Sequence, residues 1–197
     1  MPFILASGSP RRHDLIQELI QNFTIEVSDI EEHLNPQLGS PEAQVDDLAR
    51  QKAAAIAERH QGESDTWVLG ADTMVYLGDE PLGKPQDKAD AERMLRGLSQ
   101  STHKVITGMA LIHCSDPVQI YLAHGVSEVT MRKISDEEIQ AYIASGEPMD
   151  KAGAYGIQGK AGDFITEITG EYENIVGLPL KALKALLTTV NCPYLIG

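Results

Sequence analysis

The chain of 197 residues contains only two cysteines, Cys114 and Cys192, and they form no C-x-x-C pair. Neither a disulfide framework nor a thiolate zinc site is therefore predicted. The sequence has no uncharged apolar run approaching the roughly 18 residues that a membrane span needs, and no pattern of a signal peptide. We therefore expect a cytoplasmic protein with no membrane partner.

Basic residues are also few, since 16 Lys and Arg stand against 29 Asp and Glu, a formal net charge of −13 at pH 7. A surface this acidic repels the phosphate backbone of nucleic acids. No nucleic-acid partner is expected, and any phosphate site must be local. The six histidines fit no usual ligand spacing and predict neither a metal site nor a catalytic triad.

The composition, 42% hydrophobic and 23% charged residues, is that of a globular protein. The length fits one ordinary α/β domain or two closely joined lobes, without linker, repeat or low-complexity tract. Helical periodicity alternates with short apolar runs, and two long β-type stretches, about 104–114 and 118–131, suggest an antiparallel pair. We predict an α/β fold in which helices flank a mixed sheet.

The motif SGSPRR follows a short apolar run and opens an apolar-periodic helix that is predicted to reach Ile20. A helix start presents unpaired backbone N–H groups, and Ser7 and Ser9 can cap it. Arg11 and Arg12 add planar guanidinium groups that match phosphate oxygens. The motif is either a phosphate-binding turn or an ordinary helix start with two solvated arginines.

The next candidate, Asp72, follows the apolar run 67–69. The residues 70–73 (GADT) predict a break in a buried strand, which would place Asp72 at a strand end, where open α/β sheets bind ligands. A divalent metal would help this weak base to activate water, with Glu32 and then Glu31 as candidates for a further carboxylate. Alternatively, Asp72 is a turn residue that bonds its own backbone, and Glu31 and Glu32 form a solvated acidic turn.

Residues Gly78–Lys84 have the glycine and lysine spacing of a P-loop, but Pro85 stands where a Ser or Thr hydroxyl would bind Mg²⁺. We reject the P-loop and retain a rigid turn that can hold Lys84 towards a phosphate. A long helix is predicted to start at Ser40 or the residue after it, and it carries Lys52 beside its apolar stripe.

The glycine-rich segment 151–159 (KAGAYGIQG) would let the backbone approach a ligand closely. The amide of Gln158 offers both a donor and an acceptor, as the edge of uracil or thymine requires. A flipped amide would match cytosine as well, so Gln158 alone does not settle the choice of base. The other interpretation is a glycine-rich connection with an exposed glutamine.

Seven segments together resemble the Maf family of nucleoside triphosphate pyrophosphatases, and they span nearly the whole chain in order: Ser7–Arg12, Ile30–Glu32, Leu48–Ala53, Gly70–Thr73, Gly83–Pro85, Asp150–Gly159 and Val176–Leu180. The resemblance implies an elongated, two-lobed fold like that of the inosine triphosphate pyrophosphatases, with a central cleft. It also implies a single Maf-like domain over residues 1–197.

The same resemblance implies hydrolysis of a nucleoside triphosphate to the monophosphate and pyrophosphate with a divalent metal cation, Mg²⁺ or Mn²⁺. The GADT and GIQG motifs are similar to those of the branch that acts on dTTP and UTP, and modified pyrimidine nucleotides are further candidates. Such an enzyme would clean the nucleotide pool. Gln51 departs from the family pattern, because an acidic residue is common at this position.

Residue roles are carried over in the same way. Asp72 is implied as the proton acceptor, and Asp72 and Glu32 as metal ligands. The implied specificity residues are Arg11, Thr73 and Gln158. The implied phosphate-binding residues are Ser7, Ser9, Arg12, Lys52 and Lys84.

Two functions of other classes stay open. One is a non-catalytic nucleotide-sensing regulator of septum formation that acts through partners, because the family name refers to septum formation. The other, a DNA-binding regulator, is weakened by the acid excess and has no clear basic recognition helix. The carboxylates favour catalysis, since a pure phosphate binder gains nothing from them unless a metal bridges them to the anion. A homodimer is left open.

Overall fold

The computed structural model describes residues 3–31, 33–115 and 117–196. By internal packing the chain divides into two compact units. Unit 1 is built from the described residues of Met1–Asp72, Thr107–Gly125 and Gly177–Gly197, and unit 2 from those of Thr73–Ile106 and Val126–Val176.

Strands and α-helices are interspersed along the chain. The strands are β1 (Phe3–Ala6), β2 (Thr24–Ile25), β3 (Trp67–Leu77), β4 (Glu80–Leu82), β5 (Thr102–His113), β6 (Gln119–Met131) and β7 (Ile165–Thr169). The α-helices are α1 (Pro10–Ile16), α2 (Pro41–Ala57), α3 (Lys88–Leu98), α4 (Asp136–Ala144), α5 (Tyr172–Val176) and α6 (Leu180–Thr189). Short 3₁₀ segments cover Pro36–Leu38, Glu58–His60, Glu147–Asp150, Ala152–Ala154 and Lys160–Phe164. Across the described ranges, none of the helices has the length and apolar character of a membrane span.

The strands form one mixed sheet in the order β2-β1-β3-β5-β6-β7, with β4 paired to β3. β1 runs parallel to both β2 and β3, whereas β4 is antiparallel to β3 and β7 to β6. The Oγ1 atoms of Thr102 and Thr130 lie 2.8 Å apart, which places the start of β5 beside the end of β6, as in an antiparallel pair. The predicted α/β class with a mixed sheet is confirmed.

Unit 1 has a hydrophobic core on each face of its part of the sheet. Side chains of β1 alternate between the two faces, with Phe3 and Leu5 in one core and Ile4 and Ala6 in the other. Helices α1 and α6 contribute to the first core, and α2 contributes to the second. Because β1 is buried on both faces, it reads as a continuous apolar run.

Helix α2 packs directly on the backbone of the sheet. A Cβ atom at Gly70 of β3 would lie 2.4 Å from the Ala49 carbonyl oxygen, and one at Gly108 of β5 would lie 2.6 Å from the Val45 carbonyl oxygen. Glycine is therefore required at both positions for close approach. Side chains two residues apart share a face of a strand, so Asp72 points to the same side as α2.

The core of unit 2 is built from the second half of β3, β4, α3, β6, α4 and the segments around β7. The fully buried Asn174 of α5 donates from Nδ2 to the Val105 carbonyl oxygen at 2.9 Å and to Ser127 Oγ at 3.0 Å. Its hydrogen bonds attach α5 to β5 and β6. The sequence did not predict α5, because five residues are too few to show a helical period.

Two local predictions need correction. Helix α1 ends at Ile16 and does not reach Ile20, although Ile20 is fully buried. Ser9 occupies the N-cap position, but its side chain makes no capping hydrogen bond to a described residue; Ser7 Oγ instead accepts from the Ser9 amide at 3.3 Å. Strand β2 covers only Thr24–Ile25, which pair with Ile4 and Leu5 of β1.

Candidate active site

The predicted break in the strand at Asp72 is wrong, because β3 is continuous from Trp67 to Leu77. The parallel partner β1 nevertheless ends beside it, since Ala6 is the last residue of β1 and pairs with Gly70. Asp72 thus lies just past the carboxyl end of β1, where the chain turns into the SGSPRR motif. The glycine that resembled a turn residue is the site of close approach by α2.

Lys52 of α2 donates from Nζ to Oδ1 of Asp72. Asp72 is only 8% exposed, and the Lys52 side chain is largely buried. The ion pair follows from the packing, because Gly70 brings the α2 backbone down onto β3 and Asp72 is the next residue on that face. A buried carboxylate needs such a counter-charge.

Side-chain hydrogen bonds from Arg12 and His13 hold the turn between β1 and α1. Arg12 donates from Nε to the Gly177 carbonyl oxygen at 2.7 Å and from Nη1 to Ser7 Oγ at 3.3 Å. His13 Nε2 donates to the Ser7 carbonyl oxygen at 2.7 Å. Arg11 is half-buried in the same turn. These contacts fix Ser7 and Arg12 at the end of β1.

Gln51, the residue that departs from the family pattern, binds both backbone groups of His33. Its Nε2 donates to the His33 carbonyl oxygen at 2.9 Å and to Asp47 Oδ2 at 2.8 Å, and its Oε1 accepts from the His33 amide at 3.2 Å. Burial acts to raise the pKa of Asp47, but hydrogen bonds from Arg50 and Gln51 outweigh it and hold that pKa below its ordinary value. Glu32, the predicted second metal ligand, lies outside the described residues.

The remaining candidates belong to unit 2. Thr73 is half-buried in β3, while Lys84 and Gln158 are exposed. The carbonyl oxygen of Gly83 accepts from the Gly153 amide at 3.0 Å, so the turn that carries Lys84 is bonded to the glycine-rich segment that carries Gln158.

A buried pair, His103 and Tyr155, attaches the glycine-rich segment to β5. His103 of β5 has its Nε2 2.7 Å from the hydroxyl of Tyr155, and both residues are buried. Burial lowers the pKa of His103 to about 4 and raises the pKa of Tyr155, so both side chains are neutral at pH 7. Sequence reasoning did not find this pair, because no spacing rule links residues 52 positions apart.

The comparison with protein families decides the assignment, because the family described as Maf-like protein matches residues 2–190. The chain belongs to the Maf family. Relatives named dTTP/UTP pyrophosphatase include those of Symbiobacterium thermophilum (44% identical, 98% of this chain, 96% of the relative), Desulforamulus reducens (45%, 94% and 95%) and Bacillus anthracis (47%, 95% and 95%). Among solved structures, a HAM1 protein from Coxiella burnetii aligns with a TM-score of 0.49 at 17% identity, over 96% of this chain and 98% of that chain.

The structure of this Maf protein brings together part of the predicted set. In unit 1, contacts join Lys52 to Asp72, and join Arg12 to Ser7. Thr73, Lys84 and Gln158 belong to unit 2. The two-lobed shape and the central cleft stay predictions.

Within the part of this Maf protein that the structure describes, no three His, Cys, Asp or Glu side chains form a metal-binding group. The carboxylate of Asp72 is nevertheless the hard oxygen donor that Mg²⁺ and Mn²⁺ prefer. Mg²⁺ is usually held by one or two carboxylates together with substrate phosphates. The Asp72 carboxylate therefore fits a cation that is held together with substrate phosphates.

Proposed function

We propose that this Maf family member is a nucleoside triphosphate pyrophosphatase that hydrolyses dTTP and UTP to the monophosphate and pyrophosphate. The observation that carries the proposal is the buried Lys52–Asp72 pair just past the end of β1, next to the turn held by Arg12. The curated relatives, which carry the name of this activity and match at least 94% of this chain, support it.

In the proposed reaction, water attacks the α-phosphorus of the triphosphate. A P–O bond forms to the water oxygen, the bond from the α-phosphorus to the oxygen that bridges to the β-phosphate breaks, and pyrophosphate leaves. Asp72 accepts the proton of the water, as a carboxylate placed beside the reacting atoms can do. Lys52 holds Asp72 in place through the ion pair.

Cationic and hydroxyl side chains are proposed to bind the phosphates. Arg12, already fixed through Gly177 and Ser7, would contact phosphate oxygens with its guanidinium group. Ser7, Ser9, Lys52 and Lys84 would add further contacts. Their proposed work is to offset the charge that grows on pyrophosphate as it leaves, the positioning and electrostatic task that dominates phosphoryl transfer.

A divalent cation, Mg²⁺ or Mn²⁺, would supply positive charge to the triphosphate and lower the pKa of a water molecule. Asp72 would hold it, and Glu32 is proposed as a second ligand. Arg11, Thr73 and Gln158 are proposed as the residues that select the nucleotide, with the Gln158 amide meeting the pyrimidine edge.

The wider expectations are proposals of the same kind. We propose one Maf-like domain over residues 1–197, and the family match over residues 2–190 supports it. The protein is proposed to be cytoplasmic and to bind neither nucleic acid nor membrane. Its proposed assembly is a homodimer. Modified pyrimidine nucleotides belong to the proposed substrate class. The regulator of septum formation is not favoured, because the relatives are named as pyrophosphatases.

The test is pyrophosphate release from a panel of canonical and modified nucleoside triphosphates, with Mg²⁺ and with Mn²⁺. Asp72→Asn should lose turnover, because an amide cannot accept the proton, while it keeps the shape of the side chain. The matched control is Asp14→Asn, since Asp14 is exposed on α1, and it should keep wild-type rates.

Preferential turnover of dTTP and UTP that Asp72→Asn abolishes would support the proposal. Near-normal activity of Asp72→Asn would overturn the role of the base. No turnover of any nucleotide by a folded protein that still binds nucleotide would favour the regulatory function instead.

A further inference from the structure

Gln158 occupies one corner of a four-residue turn, Gly156–Gly159. The turn is closed by a hydrogen bond from the Gly159 amide to the Gly156 carbonyl oxygen at 3.1 Å. The other corner residue, Ile157, packs against the core of unit 2, whereas Gln158 is exposed. The turn backbone fixes the direction of the Cα–Cβ bond of Gln158, so whatever holds the two ends of the turn sets the direction from which this side chain extends.

The carboxylate of Glu147 lies against one end of this turn. A Cβ atom at Gly159 would be 1.7 Å from Glu147 Oε1 and 2.5 Å from Glu147 Cδ, so the turn backbone is in direct contact with the carboxylate. The next amide, that of Lys160, donates to Glu147 Oε2 at 3.5 Å. The absence of a side chain at position 159 therefore leaves room for the carboxylate in its present position.

The hydroxyl of Tyr142 connects the same carboxylate to the other end of the turn. It donates to Glu147 Oε1 at 3.0 Å and accepts from the Gly156 amide at 3.3 Å. Burial raises the pKa of Tyr142, so the hydroxyl keeps its proton and donates. Both ends of the turn are therefore linked through Tyr142 and Glu147.

The backbone of Glu147 is also bonded to a side chain, that of Lys151. Lys151 donates from Nζ to the Glu147 carbonyl oxygen at 2.7 Å and pairs with Asp150 at 2.7 Å. The aliphatic part of Lys151 lies under Gly156, where a Cβ atom would be 2.7 Å from Lys151 Cε. Four side chains and two glycines thus form one support that fixes the direction of the turn.

We propose that Glu147, acting with Tyr142, is a positioning residue that orients the Gln158 amide towards the pyrimidine and so sets the preference for uracil and thymine over cytosine. This inference rests on the proposed function, which assigns Gln158 to the base. Glu147 touches neither substrate nor reacting atoms in the proposal; it acts through the turn. The Glu147 carboxylate accepts from both groups that approach it, the Tyr142 hydroxyl and the Lys160 amide.

The test is steady-state kinetics with UTP, dTTP and CTP on Glu147→Ala and Tyr142→Phe, beside Gln158→Ala. Glu147→Ala should raise KM for UTP and dTTP about tenfold, the size expected for one lost hydrogen bond of ordinary strength. It should leave kcat within about threefold, since the reacting atoms are not touched. The matched control is Glu137→Ala, because Glu137 is exposed on α4, and it should change neither parameter.

A double-mutant cycle separates positioning from a merely structural role. If Glu147 acts through Gln158, then Glu147→Ala should add little to KM in a Gln158→Ala background. Glu147→Gln, which keeps the shape and one acceptor oxygen, should restore most of the affinity for UTP. Loss of the preference for UTP over CTP should accompany Glu147→Ala and Tyr142→Phe alike.

Additive effects of Glu147→Ala and Gln158→Ala, or an equal loss for UTP and CTP, would overturn the inference. So would a fall in kcat with an unchanged KM. Should Glu147→Ala fail to fold, Tyr142→Phe, combined in the same cycle with Gln158→Ala, decides by the same criteria. The proposed function is judged separately, because it requires only that the wild-type protein hydrolyses UTP and dTTP.

Discussion

The Nε atom of Arg12 donates to the carbonyl oxygen of Gly177 across 165 positions of the chain, at 2.7 Å. The bond attaches the turn after β1 to the residue that precedes α6 by three positions. A second donor of the same guanidinium group reaches Ser7. Arg12 therefore has a structural duty within unit 1 besides its proposed contact with phosphate.

The substitution Arg12→Lys tests both the structural role of Arg12 and its proposed phosphate contact. A lysine has one ammonium group in place of the planar fork, so it cannot reach Gly177, Ser7 and a phosphate at once. We expect the free energy of unfolding to fall by about 1 kcal/mol, because the Gly177 carbonyl loses its donor, and KM for UTP to rise about tenfold. Urea denaturation and steady-state kinetics measure the two effects. Arg59→Lys, at an exposed position, is the control; an unchanged Arg12→Lys protein would refute both duties.

Gly70→Ala should displace α2. The new Cβ would lie 2.4 Å from the Ala49 carbonyl oxygen and 2.8 Å from the Ala53 nitrogen, distances at which backbone must move. Overpacking of this kind costs about 1–3 kcal/mol or more, and the shift should also pull Lys52 away from Asp72. The urea midpoint and the pyrophosphate release rate should both drop. Gly83→Ala is the stability control, since a Cβ atom there would meet no atom of the described residues within 4 Å. A Gly70→Ala protein as stable as the wild type would contradict the packing of α2 on β3.

His103 predicts how stability changes in acid. Burial lowers its pKa to about 4, against about 6.5 in an unfolded chain, so below pH 6.5 the unfolded state binds the proton first. Stability is then lost as the pH falls from about 6.5 towards 4, by about 3 kcal/mol in total. His103→Gln should flatten this dependence, which urea unfolding between pH 7 and pH 4.5 measures. His33→Gln, at an exposed histidine, should follow the wild type; parallel curves for wild type and His103→Gln would contradict the prediction.

Much of the fold could be predicted from patterns within short windows. The start of α2 followed from the capping residue Ser40, and that cap is present. Strand β3 could not be predicted as continuous, because glycine and aspartate in sequence indicate a turn. In the structure Gly70 serves the close approach of a helix, a tertiary requirement that local propensity does not contain.

The candidate site likewise contains residues that local motifs reveal and residues whose roles depend on tertiary contacts. The motifs around Ser7, Lys52 and Asp72 could be found because each is local, and their contacts in unit 1 follow from strand order. Glu147 and Tyr142 could not be found, because their link to the GIQG turn depends on how a 3₁₀ segment folds back on α4. The sequence signal available there was the pair Gly156 and Gly159, which flank Gln158, the polar residue of the turn.

Gln51 bonds to the His33 backbone and to Asp47, so the residue types at positions 47 and 51 of α2 depend on each other. The Gln51 amide nitrogen lies 2.8 Å from an oxygen of Asp47, and a carboxylate at position 51 would bring two negative charges together there and lose the bond to the His33 carbonyl. Positions 47 and 51 should therefore vary together among relatives: where 51 is acidic, 47 should be neutral or basic. Deamidation of Gln51 would create the same repulsion without any change in the gene.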